Sequence, residues 1–209
     1  YVSEYNRAQI SINFTNFKIS PIHHVFDSVC GLAIERGLRV TGSELVGLIP
    51  KSAIMDAGKY YLKKQNRSLG VSESDILECA VQSLGLNDVS KFNSKEKIIE
   101  FAIEDKKDSL LHLSTDDLIQ SISQNSPAPG GGSVSALAGA LGASLLSMVS
   151  LLTYDKKEYF SRRTKMSSLG EMAHKYQKRL KQLVDEDTHA FDSVMDASRL
   201  PEKAKSDIK

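Results

Sequence analysis

The chain has 209 residues, of which 41 % are hydrophobic and 25 % charged, an ordinary composition for a globular protein with a buried core. Its 27 lysines and arginines nearly balance its 26 aspartates and glutamates. The net charge of +1 therefore gives no electrostatic basis for binding nucleic acid or a membrane surface, and wholesale disorder is not expected.

Two cysteines, Cys30 and Cys79, lie on apolar helical faces rather than in a paired spacing. This pattern predicts buried, reduced thiols and a cytoplasmic location. The first residues contain neither an initiator methionine nor the basic and apolar segments of a signal peptide, and the last residues stop within a helix-like pattern that has no stop signal. We therefore expect both ends to be cuts within a longer protein.

The first part of the chain combines a strand pattern with helix patterns. Ile10, Ile12 and Phe14 alternate with polar residues, which predicts a half-buried strand. Pro21 opens an apolar stripe of helical period, and Gly37 closes it. These two signals predict a strand that is followed by a helix.

Further elements complete this part. An extended stretch covers residues 38–49, and Pro50 begins a second helix. Ser72 and Asp75 form a capping pattern before a third helix, which Gly85 can end. A short helix is expected near residues 94–103. Residues 1–104 are therefore predicted to be a mixed α/β unit that turns helical at its end.

The rest of the chain carries helix patterns only. The charged run at residues 104–108 indicates a solvated linker, which we assign to 105–113. A helix begins near Ser114, and two long helical patterns cover 133–154 and 164–199. Pro201 is expected to begin another helix. Residues 114–209 are therefore predicted to be an all-α helical bundle.

The helical pattern that ends at Tyr154 contains no charged residue, so a transmembrane helix is an alternative to a core helix. Its serines, glycines and alanines contribute little hydrophobicity and let neighbouring backbones approach closely. That property suits the centre of a bundle, and it also suits a transmembrane contact face. Because the chain has no second span and no aromatic belt, we favour the bundle and expect no membrane partner.

A loop of Gly130, Gly131, Gly132 and Ser133 leads into this helix. Consecutive glycines expose N–H groups, and a helix N-terminus carries partial positive charge, so the loop favours a carboxylate or a phosphate. The loop is not a Walker A motif, because no Gly-Lys-Ser/Thr follows. A flexible hinge between two helices is the alternative.

An aspartate lies on the apolar stripe of the last long helix. The stripe consists of Met166, Leu169, Ala173, Tyr176, Leu180, Leu183, Val184, Ala190, Phe191 and Val194. Asp187 falls between Val184 and Phe191, and a carboxylate that faces a core is costly unless it is paired, hydrogen-bonded or protonated. Such a position suits a general acid or base. The alternative is a structural carboxylate that a neighbouring helix or subunit holds.

Other polar residues are weaker candidates. Asp185 and Asp192 lie off the stripe and are expected to be solvated. His189 follows Asp185 by four residues, but two ligands without a third do not make a metal site, so no metal is predicted. Of the adjacent His23 and His24, we expect one to pack and the other to be solvated.

Two stretches resemble the signatures of known families. Residues 42–50, Gly-Ser-Glu-Leu-Val-Gly-Leu-Ile-Pro, together with the strand pattern at 8–13, are similar to the C-terminal subdomain of glutamate formiminotransferase. Residues 126–134, Ser-Pro-Ala-Pro-Gly-Gly-Gly-Ser-Val, resemble the start of the cyclodeaminase, or methenyltetrahydrofolate cyclohydrolase, domain. Both occur in the order and at about the separation found in bifunctional formiminotransferase-cyclodeaminases, so the resemblance covers nearly the whole chain.

The resemblance implies a fold and an activity. Residues 1–104 would be an α+β, ferredoxin-like subdomain with extra helices, and residues 114–209 would belong to the all-α cyclodeaminase domain. The family transfers a formimino group from N-formiminoglutamate, a product of histidine breakdown, to the co-substrate tetrahydrofolate. It then closes the ring to 5,10-methenyltetrahydrofolate and releases ammonia. The family also suggests a homo-oligomer.

The resemblance also implies roles for particular residues. Val184-Asp185-Glu186-Asp187 matches the family's Val-Asp-x-Asp context, which makes Asp187 the expected proton donor. Residues 130–133 would then border the folate site, where their N–H groups suit the anionic glutamate tail of folate. No transferase catalytic residue is carried over, because the family places those residues in a subdomain that would precede Tyr1.

Two other functions remain open. One is a methenyltetrahydrofolate cyclohydrolase with a degenerate front half, which ammonia release from 5-formiminotetrahydrofolate would exclude. The other is a helical oligomerisation module without catalysis, which an absence of folate binding would support. Small-residue helix faces of the kind seen here do mediate self-assembly.

Overall fold

The computed structural model describes residues 2–3, 6–103 and 109–199. It divides into two compact units, Tyr1–Asp105 and Lys106–Lys209. The charged run predicted as a linker, 104–108, lies outside the described residues, and so does the helix predicted to begin at Pro201. The predicted domain boundaries stay a prediction.

The described part of the first unit contains five helices. They are α1 (Ile22–Glu35), α2 (Lys51–Lys64), α3 (Glu73–Ser83), α4 (Ser94–Lys97) and α5 (Ile99–Ala102). The extended backbones of Pro21 and Pro50 start α1 and α2, and the side chains of Ser72 and Asp75 form the predicted capping box of α3. Gly85, with φ +62°, follows the C-cap of α3. The first three helices therefore confirm the local prediction.

The prediction of an α+β, ferredoxin-like first unit is wrong. The described residues contain no β-strand, only isolated bridges between Val2 and Arg7 and between Ile49 and Ile98. Ile10 is 67 % exposed, and Ile12 and Phe14 are exposed as well. Alternating apolar and polar residues are compatible with a β-strand, but a strand forms only where a neighbouring segment supplies the hydrogen bonds of the ladder. No described segment pairs with residues 8–14 in this way.

The core of the first unit lies mainly between α2 and α3. It consists of Ile49, Ala53, Ile54, Ala57, Tyr61, Leu62, Ile76, Cys79, Ala80, Val81, Leu84, Leu86 and Ile98. The backbone of Ile49 exchanges hydrogen bonds with Lys97 and Ile99, at 2.9 and 3.0 Å. The fully buried Ile98 is therefore extended, which splits the helix predicted near 94–103 into the short helices α4 and α5.

The described part of the second unit is helical, as predicted for this half. It contains α6 (Thr115–Ile122), α7 (Gly131–Tyr154) and α8 (Arg163–Arg199), with 3-10 turns at Leu110–His112 and Lys157–Arg162. Hydrogen bonds join Ser133 to Val184 and Ser147 to His174, both at 2.8 Å. Because the residue number rises on one helix as it falls on the other, α7 and α8 are antiparallel.

Helix α7 packs on α8 through small side chains. Its buried residues are Ser133, Ala136, Ala140, Ser147 and Ser150. Most of its large apolar residues are exposed, namely Val134, Leu141, Leu145, Leu146, Met148, Val149 and Leu152. By length and composition alone, α7 could cross a membrane, a test that the core helix of a soluble protein also passes. The absence of a membrane partner stays a prediction.

Gly58 provides a test of the packing between α2 and α3. A Cβ at this position would overlap the carbonyl oxygen of Ile76 and lie 2.7 Å from its Cγ2. We expect Gly58→Ala to lower the free energy of unfolding by about 1–3 kcal/mol, because neither helix can move aside freely. The measurement is urea unfolding.

Gly31→Ala is the matched control, since Gly31 also lies within a helix but faces open space. It should raise the free energy of unfolding by about 0.5–1 kcal/mol, because alanine loses less backbone entropy. Equal effects of the two substitutions would contradict the close packing of α2 on α3.

Candidate functional site

Asp187 lies on α8, and its side chain is exposed. The prediction that it faces a core is therefore wrong. Val184, one turn earlier, is buried against α7, but the contact face of a single partner helix is narrow. Tyr176 and Val194, which belong to the same sequence stripe, are also exposed. The stripe is thus wider than the surface that α7 covers.

The carboxylate of Asp187 accepts hydrogen bonds from the first turn of α7. The backbone N–H of Ser133 donates to Asp187 Oδ2 at 2.8 Å, and the Ser133 hydroxyl lies 3.2 Å from the same oxygen. The N-cap residue of α7 is Gly130, which has no side chain to bond this N–H. Asp187 therefore caps α7 from another helix, and its negative charge suits the positive end of the helix dipole.

Gly132 makes room for this carboxylate. A Cβ built on Gly132 would overlap Asp187 Oδ1 and lie 2.6 Å from Oδ2. Gly131 faces open space, and a Cβ on Gly130 would meet only the carbonyl oxygen of Pro127, at 3.2 Å. Of the three consecutive glycines, Gly132 is the one that the position of Asp187 requires.

Ser133 faces α8. It is 2 % exposed, and its hydroxyl donates to the carbonyl oxygen of Val184 at 2.8 Å. The same hydroxyl lies 3.2 Å from the hydroxyl of Thr188, a residue that the sequence analysis missed. The one available signal was spacing, because Thr188 follows Val184 by one helical turn. Substrate binding by Gly130, Gly131, Gly132 and Ser133 stays a prediction.

An open recess of about 510 Å³ lies beside Asp187. It is lined by Gly132, Ser135, Ala136, Leu180, Leu183, Glu186, Asp187 and Ala190. Glu186 is paired with Arg179 at 2.5 Å, and this hydrogen bond lowers the pKa of Glu186. The recess therefore combines apolar walls with an aspartate that has no cationic partner among the hydrogen bonds and ion pairs of the described residues.

Asp185 has a structural role that the sequence did not reveal. It accepts hydrogen bonds from the Ser109 hydroxyl at 2.6 Å and from the Leu110 N–H at 2.9 Å, so the prediction that it is solvated is wrong. His189 lines a second recess together with His112. Within the described ranges, no group of three or more His, Cys, Asp or Glu residues is arranged to hold a metal ion.

The first unit contains a second polar cluster, between α1 and α2. Asp27 accepts hydrogen bonds from Tyr60 at 2.7 Å, from Tyr61 at 3.2 Å and from Lys64 at 2.6 Å. His23 is buried against the Tyr60 ring, whereas His24 is exposed, which confirms the prediction for this pair. The sequence alone could not reveal this cluster, because no sequence pattern shows which residues of α1 lie opposite which residues of α2.

Electrostatics in this cluster favour an ionised Asp27. Burial by itself raises the pKa of Asp27, but the hydrogen bonds from Lys64, Tyr60 and Tyr61 outweigh it and hold the pKa below its ordinary value of 3.8. Burial lowers the pKa of His23, and the neighbouring His24 lowers it further. The cluster therefore joins α1 to α2 through the hydrogen bonds of Asp27.

Two family models match the chain, one in each of the two units. The Formiminotransferase domain model matches residues 1–104, and the Formiminotransferase-cyclodeaminase model matches residues 114–209. The chain belongs to the formiminotransferase-cyclodeaminase family.

Relatives in this family match nearly the whole chain. It is 36 % identical to formimidoyltransferase-cyclodeaminase of Sus scrofa over 99 % of its length, and 38 % identical to that of Gallus gallus over 96 %. It spans only 38 % and 37 % of the lengths of these relatives. It is also 36 % identical to methenyltetrahydrofolate cyclohydrolase of Methylorubrum extorquens over 40 % of each chain.

The Asp27 cluster predicts a pH dependence. Because the folded pKa of Asp27 is lowered, its contribution to stability is complete above the ordinary carboxyl pKa and is lost as the pH falls through the lower folded value. We expect Asp27→Asn to reduce the free energy of unfolding by about 1–2 kcal/mol near pH 7 and by less near pH 3. Urea unfolding at both pH values measures the difference. Asp56→Asn, at an exposed position on α2, is the control. A pH-independent effect of Asp27→Asn would contradict the network.

Gly132→Ala tests the contact between the glycine loop and Asp187. The new methyl group must displace the carboxylate, so we expect a loss of about 1–3 kcal/mol in the free energy of unfolding. Gly142→Ala, in the same helix but facing open space, should leave stability unchanged or raise it. If Gly132→Ala behaves like Gly142→Ala, Asp187 does not lie against the first turn of α7.

Proposed function

We propose that the full-length protein transfers a formimino group from N-formiminoglutamate to tetrahydrofolate and then cyclises 5-formiminotetrahydrofolate to 5,10-methenyltetrahydrofolate with release of ammonia. The names of the relatives that match nearly the whole chain support this proposal. Tetrahydrofolate is the co-substrate, and the proposal needs no metal. The reaction would serve histidine degradation in the cytoplasm, a setting that suits two free cysteines.

The observation that carries the proposal is the carboxylate of Asp187 beside the recess. Cyclisation joins N10 of the folate to the formimino carbon, and N10 must lose its proton. The C–N bond to the former imino nitrogen then breaks, and that nitrogen needs a proton to leave as ammonia. A single carboxylate that accepts the first proton and donates the second serves both steps and ends in its original state. We assign this role to Asp187.

The negative charge of Asp187 indicates which part of the folate lies near the glycine loop. A formimino group on nitrogen is an amidine, which carries a positive charge near neutral pH and is attracted to Asp187. The anionic glutamate tail would be repelled by the carboxylate that already bonds the Ser133 N–H. We therefore propose that Gly130, Gly131, Gly132 and Ser133 border the formimino end of the substrate rather than its tail.

We also propose a homo-oligomer without a nucleic-acid or membrane partner. The exposed apolar face of α7, which includes Leu141, Leu145, Val149 and Leu152, supports self-association of the second unit. The balanced charge of the chain gives no support to an anionic partner such as nucleic acid.

A second candidate is cyclohydrolase activity toward 5,10-methenyltetrahydrofolate. The similarity to the Methylorubrum extorquens cyclohydrolase supports it. The two reactions differ in their substrate and in their nitrogen balance, since only cyclodeamination releases ammonia. Assays of the full-length protein with each folate distinguish them.

The proposed role of Asp187 is tested by Asp187→Asn in single-turnover conversion of 5-formiminotetrahydrofolate. Asparagine keeps an oxygen that can accept from Ser133 but cannot shuttle a proton, so we expect the rate of ammonia release to fall by about 100-fold or more. Binding of tetrahydrofolate, which lacks the cationic formimino group, should stay intact when it is measured by titration.

Asp192→Asn is the control, because Asp192 is an exposed aspartate on the same helix. Its turnover should equal that of the wild type. Unchanged turnover in Asp187→Asn would overturn the catalytic assignment and leave Asp187 as a cap of α7.

A further inference from the structure

The two carboxylate oxygens of Asp187 have different surroundings. Oδ2 accepts the Ser133 N–H at 2.8 Å and lies 3.2 Å from the Ser133 hydroxyl. Oδ1 accepts no described hydrogen bond and is the atom nearest to the position that a Cβ on Gly132 would take, and both Gly132 and Asp187 line the recess. A proton carried by the carboxylate therefore has its open position on Oδ1, because Oδ2 already faces donors.

We propose that Ser133 is a positioning residue for the cyclisation step. By holding Oδ2, it fixes the plane of the Asp187 carboxylate and leaves Oδ1 as the oxygen that takes the proton from N10 and gives it to the departing amine. The buried side chain of Ser133 does not contact the substrate. This inference rests on the proposed function and names the atom through which that function operates.

The burial of Ser133 supports this assignment. The side chain is 2 % exposed, so its hydroxyl is inaccessible to a ligand in the recess. The hydroxyl has one proton and is surrounded by three oxygens, those of Val184, Thr188 and Asp187. The hydroxyl shares its proton between the Val184 carbonyl oxygen, at 2.8 Å, and Asp187 Oδ2, at 3.2 Å, and the Thr188 hydroxyl can donate to it in turn. The Ser133 hydroxyl of α7 thus contacts Asp187 and two of its neighbours on α8, Val184 and Thr188.

The hydrogen bonds from Ser133 also restrict the rotation of the Asp187 carboxylate. Rotation of the carboxylate about the Cβ–Cγ bond exchanges Oδ1 and Oδ2, and such terminal torsions are soft in the absence of partners. The bonds from Ser133 oppose this rotation by holding one oxygen. Loss of the hydroxyl should thus reduce the fraction of molecules in which the proton-carrying oxygen faces the substrate.

The experiment is a double-mutant cycle in the full-length protein, with Ser133→Ala, Asp187→Asn and the double variant. The substrate is 5-formiminotetrahydrofolate, and ammonia release is measured. We expect Ser133→Ala to lower kcat by about tenfold with KM unchanged, the factor for losing one hydrogen bond to a charged group. The double variant should be no slower than Asp187→Asn alone, because Ser133 acts only through Asp187.

Ser147→Ala is the matched control. Ser147 is another buried serine on the same face of α7, and its partner is His174 rather than an aspartate. Its kcat should stay within about twofold of the wild type, as expected for a residue remote from the reacting atoms. If Ser133→Ala does not fold, Thr188→Val takes its place in the cycle, because it removes the hydroxyl next to Ser133 without a change in side-chain shape.

The outcomes separate this inference from the proposed function. A loss in Ser133→Ala that multiplies with the loss in Asp187→Asn, or that appears in KM rather than kcat, would show that Ser133 acts independently and would overturn the positioning role. In that case the role of Asp187 would survive. Full activity in Asp187→Asn would overturn the proposed role of Asp187, and the inference with it.

Discussion

The second unit depends on one hydrogen bond, from the N–H of Ser133 in the first turn of α7 to the carboxylate of Asp187 on α8. Helix α7 begins at a glycine N-cap and therefore lacks a capping side chain of its own. A carboxylate from the neighbouring helix supplies the missing acceptor and complements the helix dipole. Gly132 is the residue whose lack of a side chain lets the two helices come together at this point.

This constraint has consequences along the whole helix pair. The small side chains of α7, such as Ala136, Ala140 and Ser147, continue the close approach that Gly132 begins, and the Ser147–His174 hydrogen bond joins the helices further along. Because the small residues face α8, most of the large apolar residues of α7 face away from it. One feature thus explains both the position of the candidate catalytic carboxylate and the apolar surface that we assign to self-association.

The sequence predicted what local physical chemistry decides. Pro21, Pro50 and the Ser72 capping box fix helix ends through a few neighbouring residues, and these helices lie where they were expected. The strand at residues 8–14 was wrong because pairing depends on a distant segment, which a period of two cannot supply. The prediction that Asp187 is buried was wrong because the apolar stripe of α8 does not show how many helices pack against it. The Asp27 cluster was missed because it joins residues from two helices whose register no local pattern encodes.

The most direct test of the central claim is the rate of amide hydrogen exchange at Ser133, compared between the wild type and Asp187→Ala. An N–H in the first turn of a helix has no partner within that helix, so protection at Ser133 must come from the aspartate. We predict that Ser133 is protected in the wild type and loses this protection in Asp187→Ala, while the amide of Ser147 in the middle of α7 exchanges equally slowly in both. Equal exchange at Ser133 in the two proteins would contradict the account, because it would mean that Asp187 does not cap α7.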